Sequence, residues 1–244
     1  TPDGFTCDLC CNGQCCEIVD PTQPLMTATT QVFIALKFVI IVSAQSQYLM
    51  PPEVVDKRLR DNLVTVNEAF AVMNMYFYLV PYVYVVNSDL ERQCPTDDCY
   101  STASCSFYEK IMKTYKGDHE RVVTIVACQL DYLGEAQFPW ATVESSHMQY
   151  IQVHTKIIGI GNALYPEGRG CTLVHELGHY FGLLHTFEVE HKCDVRGDYV
   201  DDTPAQGVRA SQTDSCATQR DSCPNKPGLD DFGNFMNYAS DQCM

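Results

Sequence analysis

No stretch of this chain is long and apolar enough to cross a bilayer. The apolar run Val32–Val42 is interrupted by Lys37 and falls well short of the ~20 residues a membrane helix needs, so it reads as a buried strand and membrane insertion is excluded. No internal repeat or low-complexity tract appears. There is no Asn-x-Ser/Thr sequon, so glycosylation gives no clue to the compartment. Basic residues are scarce. The 16 Lys and Arg face 31 Asp and Glu, a net charge of −15, which argues against nucleic acid or an anionic surface as partner and favours cationic substrates.

What the chain has in quantity is cysteine. Fourteen of them fall in three groups, Cys7–Cys16, Cys94–Cys128 and Cys171–Cys243, a density that points to disulfides and an oxidising, extracellular compartment. A second zinc held by Cys7 and Cys10 with Cys15 or Cys16 is the alternative for the first group. With no signal segment and Thr1 as its first residue, the chain reads as a mature form. At 244 residues it can bury a full core. The expected division is a cysteine-rich cap over 1–24 and a catalytic domain over 25–244, with an upper subdomain over 25–182 and a lower one over 183–244.

Chemistry concentrates in Thr172–Phe187, T-L-V-H-E-L-G-H-Y-F-G-L-L-H-T-F. On a helix, His175 and His179 lie on one face, close enough to share one zinc ion. Glu176 points elsewhere and is free to act as general base. Gly182 can take the left-handed conformation that ends a helix and swings His185 back as third ligand. Three histidines leave the fourth position of a tetrahedral zinc open, as catalysis requires. The structural alternative is a buried amphipathic helix that happens to contain histidines.

Around this stretch the pattern is of strands alternating with helices. Val32–Val42 predicts a central strand. In Glu53–Val72, introduced by Pro51-Pro52, apolar residues recur every three or four positions, the stripe of a helix laid on a sheet. Tyr76–Val86, Val122–Leu130 and Ile151–Ile158 read as further strands, the tyrosines of the first as core; Cys94–Cys105 reads as a disulfide-tied loop. Gly134–Phe138 is a candidate rim for an extended substrate. His119, His147, His154 and His191 have no partner at helical spacing and read as surface or satisfied histidines. From Thr186 onward, eleven acidic against five basic residues and few apolar runs predict a loop-rich region. There Asp198, Asp202 and their neighbours crowd oxygens around a turn, which suits calcium or a merely solvated loop.

The H-E-x-x-H-x-x-G-x-x-H pattern, followed by Asn234-Phe235-Met236-Asn237-Tyr238, resembles the metzincins with their methionine turn. Gly197-Asp198-x-Val200-x-Asp202-Thr203-Pro204 and the run to Asp241-Gln242-Cys243-Met244 narrow the resemblance to the pappalysins. It covers Cys171–Met244 strongly and the earlier strands only in order. It implies a metzincin α/β fold: a twisted, mostly parallel mixed sheet, a zinc-binding helix, and a loop-rich, disulfide-bonded C-terminal subdomain. It also implies zinc on His175, His179 and His185, Glu176 as base, Met236 as an apolar floor, and Tyr238 near the oxyanion. By the same resemblance Cys193 pairs with Cys223 and Cys216 with Cys243, and Asp198, Val200 and Thr203 contribute to calcium binding. Gln242 stands where the family often has an acidic residue tied to a basic-residue preference. The implied function is a secreted zinc endopeptidase acting on proteins or peptides. The rivals are a silent binding protein on the same scaffold and a hydrolase of non-peptide amides or esters.

Overall fold

The computed structural model describes residues 10–11, 14–15, 30–94, 102–116, 121–140, 149–163, 165, 168–188, 192–193, 197–217 and 219–244. The N-terminal cap lies outside these residues except for a ladder of β1 (Cys10–Cys11) with β2 (Gln14–Cys15). His119, His147 and His191 lie outside them too.

The strand β3 (Val32–Val42) is the centre of a six-stranded sheet. Its residues from Phe38 onward are buried whichever way they point, because helices cover both faces of the parallel sheet; an unbroken apolar run is the sequence of such a strand. On one edge β3 pairs in parallel with β4 (Met75–Leu79) and then β5 (Val83–Val86). The expected single strand over Tyr76–Val86 is thus split at Val80–Tyr82, where Pro81 brings no N–H to the ladder. Its tyrosines are also less buried than a core reading requires, Tyr78 being exposed and Tyr82 and Tyr84 only partly buried. On the other edge β3 pairs with β6 (Val122–Cys128), β6 with β8 (Ile151–His154), and β8 with β7 (Gly134–Ala136). Among the described strands of this sheet only β7 runs antiparallel. The strand expected over Ile151–Ile158 stops at His154, whose Nδ1 accepts from the Lys156 N–H and starts a 3₁₀ turn over Thr155–Ile157.

Helix α1 (Pro52–Phe70) has Pro52 in its first turn, where a missing N–H costs nothing. It packs Val55, Leu59, Val66 and Phe70 onto the upper face of the sheet, beside α4 (Cys171–Tyr180). The short helix α2 (Ser88–Gln93) is capped by the Asn87 side chain, which accepts from Asp89 and Leu90 N–H. On the lower face α3 (Thr102–Tyr115) packs Phe107, Tyr108, Ile111 and Met112 against Val39, Ile41 and Val126. A helix therefore begins within the Cys94–Cys105 stretch expected as loop; Cys94 itself bonds Cys128.

After Gly182 the chain has no further helix or strand among the described residues. Disulfides Cys193–Cys223 and Cys216–Cys243 tie it. A small core of Ala210, Phe232 and Ala239 adds to them. The Arg220 guanidinium pairs with the buried Asp230 carboxylate and lies over Phe232 at 4.9 Å. No helix among the described residues is long and apolar enough to cross a membrane.

Candidate active site

Helix α4 has no side-chain cap of its own. Gly170, at φ 89°, occupies the cap position. The missing acceptor comes from the far end of the chain: Asp241 Oδ2 accepts from the Arg169 N–H at 2.8 Å and the Cys171 N–H at 3.2 Å. A carboxylate there also complements the positive end of the helix dipole. Gln242, by contrast, is exposed.

Along α4, His175 and His179 fall on the face that borders the cleft, and Gly182 at φ 99° turns the chain after the helix. His185 thereby returns to the same point. His179 Nε2 lies 3.0 Å from both His175 Nε2 and His185 Nε2. Among the described residues these three are the one group of His, Cys, Asp or Glu side chains arranged to hold a metal ion.

The donor set fits a cation on three grounds. His175 Nδ1 faces the Phe235 carbonyl at 2.6 Å and His179 Nδ1 the Leu183 carbonyl at 2.7 Å; a carbonyl only accepts, so Nδ1 carries the proton and Nε2 a lone pair. Lone pairs 3.0 Å apart repel unless a cation lies between them, and two nitrogens on tetrahedral zinc would be roughly 3.3 Å apart. Burial, together with the neighbouring imidazoles, lowers the pKa of His175 to about 4 and of His185 to about 3; burial lowers that of His179. All three are neutral at neutral pH, the form that ligates. The third ground is Glu176. Its carboxyl is buried, Oε2 has no hydrogen-bond partner, and burial plus nearby Glu135 raise its pKa well above the carboxylate range. A dication beside it supplies the missing compensation.

Glu176 is positioned by what surrounds it. A Cβ on Gly134 would stand 2.7 Å from Glu176 Oε1, so β7 needs glycine there. Under the helix, a Cβ on Gly178 would meet Met236 Sδ at 2.5 Å, so the methionine turn packs directly against α4. Asn234–Tyr238 also contributes the Phe235 carbonyl that holds His175. Asn237, fully buried, accepts from Ala210 N–H and donates to Gln206 and the Asp231 carbonyl. Tyr238 is partly exposed, its ring 4.8 Å from that of His185. An open cleft of about 840 Å³ runs past these groups, bordered by β7, α4 and the chain from Phe235 to Met244.

The acidic turn lies elsewhere. Asp198 Oδ1 accepts from the Val200 N–H at 3.0 Å, and its carboxyl also bonds Thr203. Sequence reasoning missed Asp241, Asn237 and Gln206 as organisers of the site, since each acts on a segment distant in sequence. For Gly134 and Gly178 the glycine itself was the only signal.

The family model for pregnancy-associated plasma protein-A matches residues 124–244. An extracellular metalloprotease of Neurospora crassa is 32% identical over 230 residues, covering 93% of this chain and 74% of that protein. One from Colletotrichum graminicola is 33% identical over 208 residues, covering 83% and 68%. In structure, mature mirolysin of Tannerella forsythia, solved with a cleaved peptide, superposes with a TM-score of 0.66 at 23% identity, covering 88% of this chain and 87% of that one. That likeness shows the metzincin fold. The chain thus belongs to the pappalysin family of metzincins and is a secreted metalloprotease.

Proposed function

We propose that His175, His179 and His185 hold the catalytic zinc of an endopeptidase in which Glu176 is the general base. The carrying observation is the convergence of three Nε2 atoms, each within 3.0 Å of the next, beside a buried carboxyl. Zinc held there would supply Lewis acidity and a water acidified for attack at neutral pH. Glu176 is placed to accept a proton as general base and to return it to the leaving amine as general acid. Tyr238, on the open side of His185, offers its hydroxyl to the developing oxyanion. Met236 holds the floor through its contact with Gly178.

The substrate lies along β7. This strand has a single partner among the described residues. Leu133 and Gln137 direct their backbone groups to β8, so by antiparallel alternation Gly134 and Ala136 turn theirs toward the cleft. A peptide added there gains main-chain hydrogen bonds with little sequence demand. The upper and lower subdomains meet at Gly182 in this reading. The turn of Asp198, Val200 and Thr203 takes calcium as a structural ion.

Digestion of casein and of a random peptide library, with and without a zinc chelator, tests the reading. Internal, chelator-sensitive cuts are expected, and Glu176→Gln retains zinc but not turnover. Full activity of Glu176→Gln would remove the assignment.

A further inference from the structure

Beyond the proposed metal ligands and base, Phe138 lines the cleft and Trp140, stacked on it, continues it outward as an aromatic shelf that the proposed reaction does not use. Gly134 and Ala136 alternate on β7 and share the face turned toward α4; beyond them the chain leaves the strand and turns at Pro139 and Trp140. The Phe138 ring meets the His179 ring edge to face, with centroids 5.2 Å apart at 69°. Trp140 stacks on Phe138 at 4.7 Å and 12°. Behind the indole lies Gly182, where a Cβ would be 3.3 Å from Trp140 Cζ3. The shelf therefore runs unbroken from a proposed zinc ligand to an indole that is still 39% exposed. It stands at the end of α4 opposite to Cys171 and Thr172, which line the other end of the cleft.

We propose that Phe138 and Trp140 form an apolar subsite for an aliphatic or aromatic side chain of the substrate, two or three residues before the cleaved bond. This rests on the peptide-hydrolysis reading above. The side of the bond follows from strand direction. A peptide paired antiparallel to β7, the more stable arrangement per residue, runs against it, so its residues before the reacting carbonyl pass the segment that follows Ala136. That segment is Gln137–Trp140. A flat, polarisable shelf with an exposed face gains by covering apolar surface and gives nothing to an anionic side chain, which its negative face repels.

The test uses two peptides that differ only in carrying Leu-Phe or Ser-Glu at the second and third positions before a known cut. Wild type is expected to favour the apolar peptide roughly tenfold in kcat/KM, a usual size for one apolar pocket, mainly through KM. Trp140→Ala should bring that ratio close to one and Trp140→Phe should restore most of it, with bound zinc unchanged in both. Trp140 is the chain's single tryptophan, so its emission reports the subsite directly. In Glu176→Gln, the apolar peptide should shift the emission to the blue and the Ser-Glu peptide should not. A ratio unmoved by Trp140→Ala, or emission blind to a bound apolar peptide, overturns this inference alone. Failure of wild type to cut any peptide overturns the endopeptidase reading and this subsite with it.

Discussion

Asp241 caps the helix that carries His175 and His179 from 70 residues away, accepting from the Cys171 N–H at 3.2 Å while its chain neighbours Ser240 and Cys243 close the C-terminal turn. The contact joins the two walls of the cleft. Removing a capping acceptor costs about 1–2 kcal/mol. Asp241→Ala should therefore lower the melting temperature by a few degrees, whereas Asp241→Asn keeps an acceptor oxygen and should lose less. Thermal unfolding of the two variants checks this; equal losses would mean that the negative charge at the helix end, not the acceptor oxygen, carries the contribution.

The same contact marks the limit of what the sequence could reveal. Val32–Val42 was legible because a parallel strand buried on both faces needs no polar interruption, and α1 because its apolar stripe has helical spacing. The metal-binding stretch was legible because ligand spacing on a helix is itself geometry. Pro81 split one expected strand and His154 ended another by capping a turn, although the proline and the polar run His154-Thr155-Lys156 stand in the sequence as break signals that the flanking apolar residues outweighed. Within α3 the residues Phe107, Tyr108, Ile111 and Met112 do have helical spacing, which the cysteines around them obscured. Asp241, Asn237 and Gln206 had no local signal. Their partners are chosen by tertiary packing.

Gly134→Ala should separate positioning of the base from binding of the metal. The new methyl would stand 2.7 Å from Glu176 Oε1 and 2.8 Å from Cγ, so the Glu176 side chain must shift to admit it. Displacing a catalytic group by about 1 Å can cost on the order of 100-fold in rate. The expected result is a fall in kcat of that order with bound zinc unchanged, although alanine is no worse than glycine in a strand. Zinc analysis beside steady-state kinetics decides it, and loss of zinc in parallel with activity would point to a collapsed site.

Stability should fall in acid partly through His154. Its imidazole accepts from the Lys156 N–H, and burial, aided by the charge of Lys156, lowers its pKa from 6.5 to about 4 despite nearby Asp131. Between those two values the unfolded chain binds a proton that the folded chain refuses. His154 thus favours folding above about pH 6.5, and that contribution is lost as the pH falls toward 4. In His154→Asn the amide oxygen can still accept from Lys156, and nothing titrates. Urea unfolding of the two metal-free proteins at neutral pH and at about pH 4.5, a value below the ordinary histidine pKa, should show a smaller acid loss in the variant. Parallel losses would remove His154 from the account.

Gly178 and Met236 should behave as one unit. Replacing glycine by alanine inside a helix ordinarily stabilises it by roughly 0.5–1 kcal/mol, but here the methyl would meet Met236 Sδ at 2.5 Å and Cε at 3.3 Å. Overpacking of this kind costs about 1–3 kcal/mol, so the sign should reverse and Gly178→Ala should be destabilising. Met236→Ala alone opens a cavity under the helix and is destabilising as well. In the double variant the alanine methyl enters the space the sulfur has left, so the two losses should fall short of their sum by about 1 kcal/mol or more, the size of coupling expected of residues in contact. Denaturant unfolding of the four proteins closes the cycle. Simple additivity would show that the methionine turn yields to the methyl freely, and that its contact with the helix does not fix the height of the histidines.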